Sequence, residues 1–189
     1  MPRGVLLALA VAAVAPAAAT EAVLPYSVAV EVVGGENPAP ATVCEEALTG
    51  ILLELRTRGC APEVATAGAK PADLLLRVIL ADVEEETVAP VGVAELARPQ
   101  GSAPSDAHRV LATFEIAAQI DLLAPPAEEP IRSKGLVATA RGKPFLPGDD
   151  ASADARAQAL SKVAREARTL LCRSRANLEK RLEEARRSR

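Results

Sequence analysis

From Ser27 the chain reads Ser-Val-Ala-Val-Glu-Val-Val, which puts Val28, Val30 and Val32 on one side of an extended segment, and Gly34-Gly35 closes it as a strand. Pro38 to Pro40 is linker. The spacing then changes from two to three and four: Cys44, Leu48, Ile51, Leu52 and Leu55 make one apolar stripe, so residues 42 to 58 are expected to be helical. Thr42 stands as its N-cap with Glu45 three residues on, Arg56 and Arg58 suit its last turn, and Gly59 follows as a stop. Glu63 to Ala67 reads as a short strand. Ala72 to Glu84 carries Leu74, Leu75, Leu76, Val78, Ile79 and Leu80, an apolar run rich enough in β-branched residues for a central strand, with helix as the alternative. Val110 to Leu122 alternates strictly, with Val110, Ala112, Phe114, Ile116, Ala118, Ile120 and Leu122 opposed by Thr113, Glu115, Gln119 and Asp121, a strand that is dry on one side and wet on the other. Pro125-Pro126 ends it, and Ile131 to Arg141 follows as a strand with Leu136, Ala138 and Ala140 facing inward.

Asp150 or Ser152 then caps the longest periodic stretch. Ala157, Leu160, Val163, Ala164, Ala167, Leu170, Leu171, Ser174 and Leu178 keep a 3.6-residue period, which predicts one helix of some 35 residues whose last turns project past the sheet. The order β-α-β-β-β-β-α implies an α+β fold: a single mixed, mostly antiparallel sheet with two helices packed on one face, the C-terminal helix long. A right-handed first crossover followed by successive hairpins sends the last helix antiparallel to the first.

The start of the chain has a different pattern. Met1-Pro-Arg-Gly carries one positive charge, Val5 to Val14 is unbroken apolar sequence, and Ala17-Ala18-Ala19 supplies small residues for a signal peptidase. The run is too short to span a bilayer, which takes about twenty apolar residues. Residues 1–19 are therefore expected to be a cleaved signal peptide, 20–172 the α+β domain and 173–189 a basic helical extension. No cysteine adjoins the cleavage point and no later run is long enough to cross a membrane, so the expected product is a soluble periplasmic or secreted protein.

Export changes how the cysteines are read. Cys44, Cys60 and Cys172 are an odd number for an oxidising compartment, so either all three are small buried hydrophobes or one pair is bonded and one thiol left over. Cys44 and Cys60 sit about 24 Å apart along one helix, by its rise, and cannot pair. With antiparallel helices, Cys44 and Cys172 come to the same end, and this is the expected disulfide.

Composition narrows the chemistry further. The net charge is −3 and the only aromatic residues are Tyr26, Phe114 and Phe145, which gives neither a general attraction for nucleic acid nor stacking platforms for single strands. His108, the only histidine, lies near Asp106 in a Pro- and Ser-rich stretch without a nucleophile turn, so a surface histidine is the expectation. One histidine and three scattered cysteines offer no metal-ligand spacing, and Asp82 to Glu86 lacks the glycine and alternation of a calcium loop. No catalytic residue, cofactor or metal site is expected. Residues 88–107, with Pro90, Pro99, Gly101 and Pro104, form a long connection that is either a binding loop or disordered. The extension holds Arg173, Arg175, Lys180, Arg181, Arg186, Arg187 and Arg189 against three glutamates, which either complements the helix dipole or contacts an anionic partner.

The succession of a strand, a helix ending Leu-x-x-x-Gly, a short strand, a long strand opened by Ala72-Asp73, and another ending Ile-Asp-Leu before a last strand and helix resembles exported envelope modules of the TolB N-terminal and curli-secretion type, which share the anticodon-binding-domain-like fold. The similarity runs over about residues 26 to 172, with Leu76-Arg77-Val78 standing where that group has Gly-x-Val. It implies a non-catalytic module that binds another envelope protein. The alternatives are a binder of lipid headgroups or cell-wall polymer through the basic extension, and a hydrolase with an unrecognised site.

Overall fold

The computed structural model describes residues 24–88, 111–142, 150–173, 178–180 and 183–184. The elements are β1 (Val28–Gly34), α1 (Ala41–Arg58), β2 (Val64–Thr66), β3 (Leu74–Val88), β4 (Leu111–Leu123), β5 (Arg132–Gly142) and α2 (Ala151–Cys172). They form one five-stranded sheet in the order β2-β1-β3-β4-β5, with both helices on one face. The expected α+β architecture is the one observed. The expected signal peptide, the 88–107 connection beyond Val88, Asp106 and His108 lie outside the described residues.

Alternation decides which face each strand buries. Leu74, Leu76, Val78 and Leu80 of β3 and Ala112, Phe114, Ile116, Ala118, Ile120 and Leu122 of β4 point to the helices and are all buried. Their neighbours on the other face, from Leu75 to Ala81 in β3, remain half-exposed, which settles the Leu74–Leu80 run as strand. Val43, Ala47, Ile51 and Leu55 of α1 meet this surface at three- and four-residue spacing, as do Ala155, Ala159, Val163, Ala167 and Leu170 of α2. The small residues on α2 permit close approach. A Cβ placed on Gly142 would lie 1.7 Å from the Ala151 carbonyl oxygen, so glycine is required where β5 passes under the first turn of α2.

The polarity of α2 corrects the expectation. β2 and β3 both run parallel to β1, on opposite sides of it, so the link between them is a return crossing and not a hairpin. The Asp73 carboxylate holds the start of β3 beside β1 by accepting from the Ser27 N–H at 2.9 Å and the Ser27 hydroxyl at 2.8 Å. Only β3, β4 and β5 form the antiparallel meander. One fewer reversal of direction leaves α2 parallel to α1. The interhelical ion pairs advance together: Glu46 with Arg156 at 2.9 Å, then Glu54 with Arg168 at 3.2 Å.

Two helix ends also differ from expectation. α1 starts at Ala41 after Pro40, without a side-chain cap from Thr42. Proline's fixed φ and missing N–H suit an entry to a helix. The 35-residue helix is interrupted: α2 ends at Cys172, Arg173 is in a turn, and Leu178–Lys180 is helical again. Leu178 itself is fully buried in the core and does not project past the sheet. The cap of α2 is Asp150, whose carboxylate accepts from the N–H groups of Ser152 and Ala153 at 2.9 and 3.2 Å.

Candidate functional site

The disulfide joins Cys60 and Cys172, with 5.5 Å between their Cα atoms, and Cys44 is free. The expected Cys44–Cys172 pairing is thus corrected, and helix polarity is the reason. Parallel helices bring the residue just past the end of α1 to the end of α2 and leave Cys44, in the first turns of α1, at the opposite end. Cys44 and Cys60 are not bonded to each other, as expected. Cys44 is half-buried with its thiol toward the Ala39 carbonyl at 3.8 Å, and burial raises its pKa above the ordinary thiol value.

With both helices on one face, the other face of the sheet is uncovered by any described element. Its side chains form rows across the strands. Glu31, Arg77, Asp121 and Ser133 are successive cross-strand neighbours, the first two linked at 2.8 Å. Gln119 donates to both carboxylate oxygens of Asp121 at 3.1 Å, which satisfies the one polar side chain counted as buried among the described residues. Apart from Gln119, the next rows are small or apolar, with Ile79 and Gly135 on either side of Gln119, then Ala81 beside Ala117 and Val137. These short side chains sink a trough of about 720 Å³ into the face, and Val137, 62% exposed, stands at its side.

One end of the trough is acidic and its backbone is irregular. The β3–β4 register shifts between Ala81 and Glu84, and Asp82 adopts φ 50°, a left-handed conformation that aspartate tolerates better than most residues. Asn37 anchors it in two ways: its side-chain amide donates to Asp82 Oδ1 at 2.7 Å, and its carbonyl accepts from the Asp82 N–H at 3.1 Å. Glu36 and Asp82 therefore stand exposed on the rim. The Asp82–Glu86 run is strand with exposed carboxylates, and among the described residues no three His, Cys, Asp or Glu side chains gather as metal ligands. Among the described residues, those lining the trough include no Ser, Thr, Cys, His, Lys or Tyr.

A second depression lies on the outer side of the helix layer. Gly50, Leu53 and Thr57 of α1 face Ala157, Leu160 and Ala164 of α2 across a groove of about 520 Å³ that has Arg58 and Arg165 at its border. Of the basic residues expected to meet an anionic partner, Arg173 and Lys180 are exposed, whereas Arg175, Arg181, Arg186, Arg187 and Arg189 lie outside the described residues. Sequence reasoning did not bring Arg58 and Arg165 together at this groove. Their nearness depends on helix polarity, which no local pattern reports.

No family model and no curated protein matches the chain. Solved structures do. A Xanthomonas campestris protein assigned to domain-of-unknown-function family 330 overlays with a TM-score of 0.52 at 15% identity, over 80% of this chain and 87% of that one. A minor lipoprotein from Acinetobacter baumannii matches at 0.42 and 9% identity, over 81% and 92% of the two chains. The rare lipoprotein B of Shewanella oneidensis matches at 0.39 and 13%, over 81% and 98%. None of these is described as of the TolB N-terminal or curli-secretion type, and what the Xanthomonas overlay shows is a shared fold. In architecture, this chain is similar to the Xanthomonas protein.

Proposed function

We propose that this is an exported, non-catalytic accessory protein of the bacterial envelope, which uses the uncovered sheet face to hold a cationic, extended segment of another envelope protein. The observation that carries this reading is the trough itself. An apolar floor of Ile79, Ala81 and Ala117 with the Glu36 and Asp82 carboxylates at one end suits a polypeptide that offers small apolar side chains followed by Lys or Arg.

Export is supported by the Cys60–Cys172 bond, since a structural disulfide is at home in an oxidising compartment, and by the signal-like start of the chain. The non-catalytic part is supported by the make-up of the described lining, chiefly Ala, Gly and aliphatic side chains, and by the Asn37 contacts that hold Asp82 in place. A photo-crosslinking residue at Val137, placed in cells of the source bacterium, should give a discrete adduct with another protein. Asp82→Lys should abolish it without changing the amount of folded protein. An adduct pattern at Val137 that matches one from exposed Lys70, away from the trough, would sink the docking reading.

A further inference from the structure

Charge is divided along the helix layer. Its first turns carry Glu45, Glu46 and Asp154 with Arg156, whereas α1 ends in Arg56 and Arg58 after Glu54, and α2 passes through Arg165, Glu166 and Arg168 to Arg173. Parallel helices collect these cations at one end; antiparallel helices would have split them between two. Several have local work. Arg168 pairs with Glu54 at 3.2 Å and donates to the Arg58 carbonyl at 3.4 Å, and Arg56 donates to the Val64 carbonyl at 3.3 Å. Arg58 and Arg165 are exposed and engage no acidic side chain among the described residues.

Cations at helix C-termini complement the dipoles, which alone would explain a basic end. The dipoles do not explain its apolar neighbour. Leu53, 62% exposed, stands on the wall of the groove that Arg58 and Arg165 border, and the groove is floored by Ala157, Leu160 and Ala164. Guanidinium groups beside an exposed leucine match the layering of a lipid interface, with phosphates outermost and acyl chains just below. We propose that the outer side of this two-helix layer, toward its C-terminal end, seats on an anionic lipid surface, Arg58 and Arg165 meeting headgroup phosphates and Leu53 entering the acyl boundary. The sheet's trough would then face away from that surface. The two faces would serve different partners, and the lipid contact does not depend on the docking reading.

Vesicle co-sedimentation tests this with the chain from Thr20 onward, which includes every described element. With 30% phosphatidylglycerol in phosphatidylcholine at low salt, binding should exceed that to pure phosphatidylcholine by at least about 25-fold, and should weaken as salt rises. Each basic residue at such a surface is worth about a fivefold change in partitioning. Arg58→Gln/Arg165→Gln should therefore lose about 25-fold, Arg58→Glu/Arg165→Glu more, and Leu53→Ser should lose binding with little change in salt dependence. Circular dichroism and an intact Cys60–Cys172 bond establish that the variants are folded. Equal binding to neutral vesicles, full binding by the double variants, or complete loss on truncation after Lys180 with Arg58 and Arg165 intact would each overturn the proposal.

Discussion

Reducing the Cys60–Cys172 bond should remove much of the stability of this domain. The bond closes a loop with a sequence separation of 112. In the chain-entropy treatment, opening a loop of that size returns about 4.8 kcal/mol of conformational freedom to the unfolded state at 25 °C. Engineered and native bonds commonly deliver somewhat less, so a loss of about 3 to 5 kcal/mol is the expectation. A single domain has about 5 to 15 kcal/mol in total. Among the fully buried side chains of the described residues Phe114 is the only aromatic, and α2 buries mostly alanine and short aliphatics, which places this core toward the lower part of that range. With a urea dependence of about 2 kcal/mol per molar, the midpoint should fall by about 1.5 to 2.5 M. The assay is urea unfolding followed by far-ultraviolet circular dichroism, with and without reductant, in a Cys44→Ala background so that thiol exchange cannot scramble the pairing. A midpoint shift below about 0.5 M would refute the reasoning. So would an oxidised Cys44→Ala protein that is already as weak as the reduced one.

Gly142→Ala should lower stability by about 1 to 3 kcal/mol, because its methyl group would meet the Ala151 carbonyl, while Gly135→Ala, in open space, should change it by less than about 0.5 kcal/mol; thermal melts compare the two. Asp150→Ala should cost about 1 kcal/mol by removing the two cap hydrogen bonds of α2, seen as a melting temperature lower by about 2 to 4 °C. Without reductant, one thiol per chain should react with a thiol reagent, and more slowly at pH 8 than a small-molecule thiol, because burial favours the protonated form of Cys44. Its folded-state pKa is raised, so the stability linked to its proton is complete below the ordinary thiol value and is lost as pH rises through the raised one; Cys44→Ala should remove that alkaline slope from a pH series of unfolding curves.

The strands and helices were legible because each has one clear period. The Val110–Leu122 alternation matches β4 almost residue for residue, and the Leu48–Leu55 and Leu160–Leu171 stripes match the helices. The misreading came from β2. A three-residue strand presents too few side chains to specify its partner, and the short link from Thr66 to Leu74 looks like a hairpin although both strands lie parallel to β1. That one reversal governs the direction of α2, and through it the disulfide partner and the gathering of Arg58 with Arg165. The trough was illegible for another reason. Its floor is assembled from β3, β4 and β5 by register and by the irregularity at Ala81–Glu84, whereas Ala81, Ala117 and Gly135 read singly are only small residues on wet faces. Leu178 follows the helical period as expected, but the period could not say that this residue would be buried in the core.

The measurement that bears most directly on an exported domain with parallel, cross-linked helices is mass-spectrometric mapping of the non-reduced protein recovered from the envelope fraction of its source. A chain that begins at Thr20, with one linked pair of peptides containing Cys60 and Cys172 and with Cys44 alkylated, is the predicted result. A Cys44–Cys172 pair would contradict the helix polarity, and three alkylated cysteines on a chain retaining Met1 would contradict export.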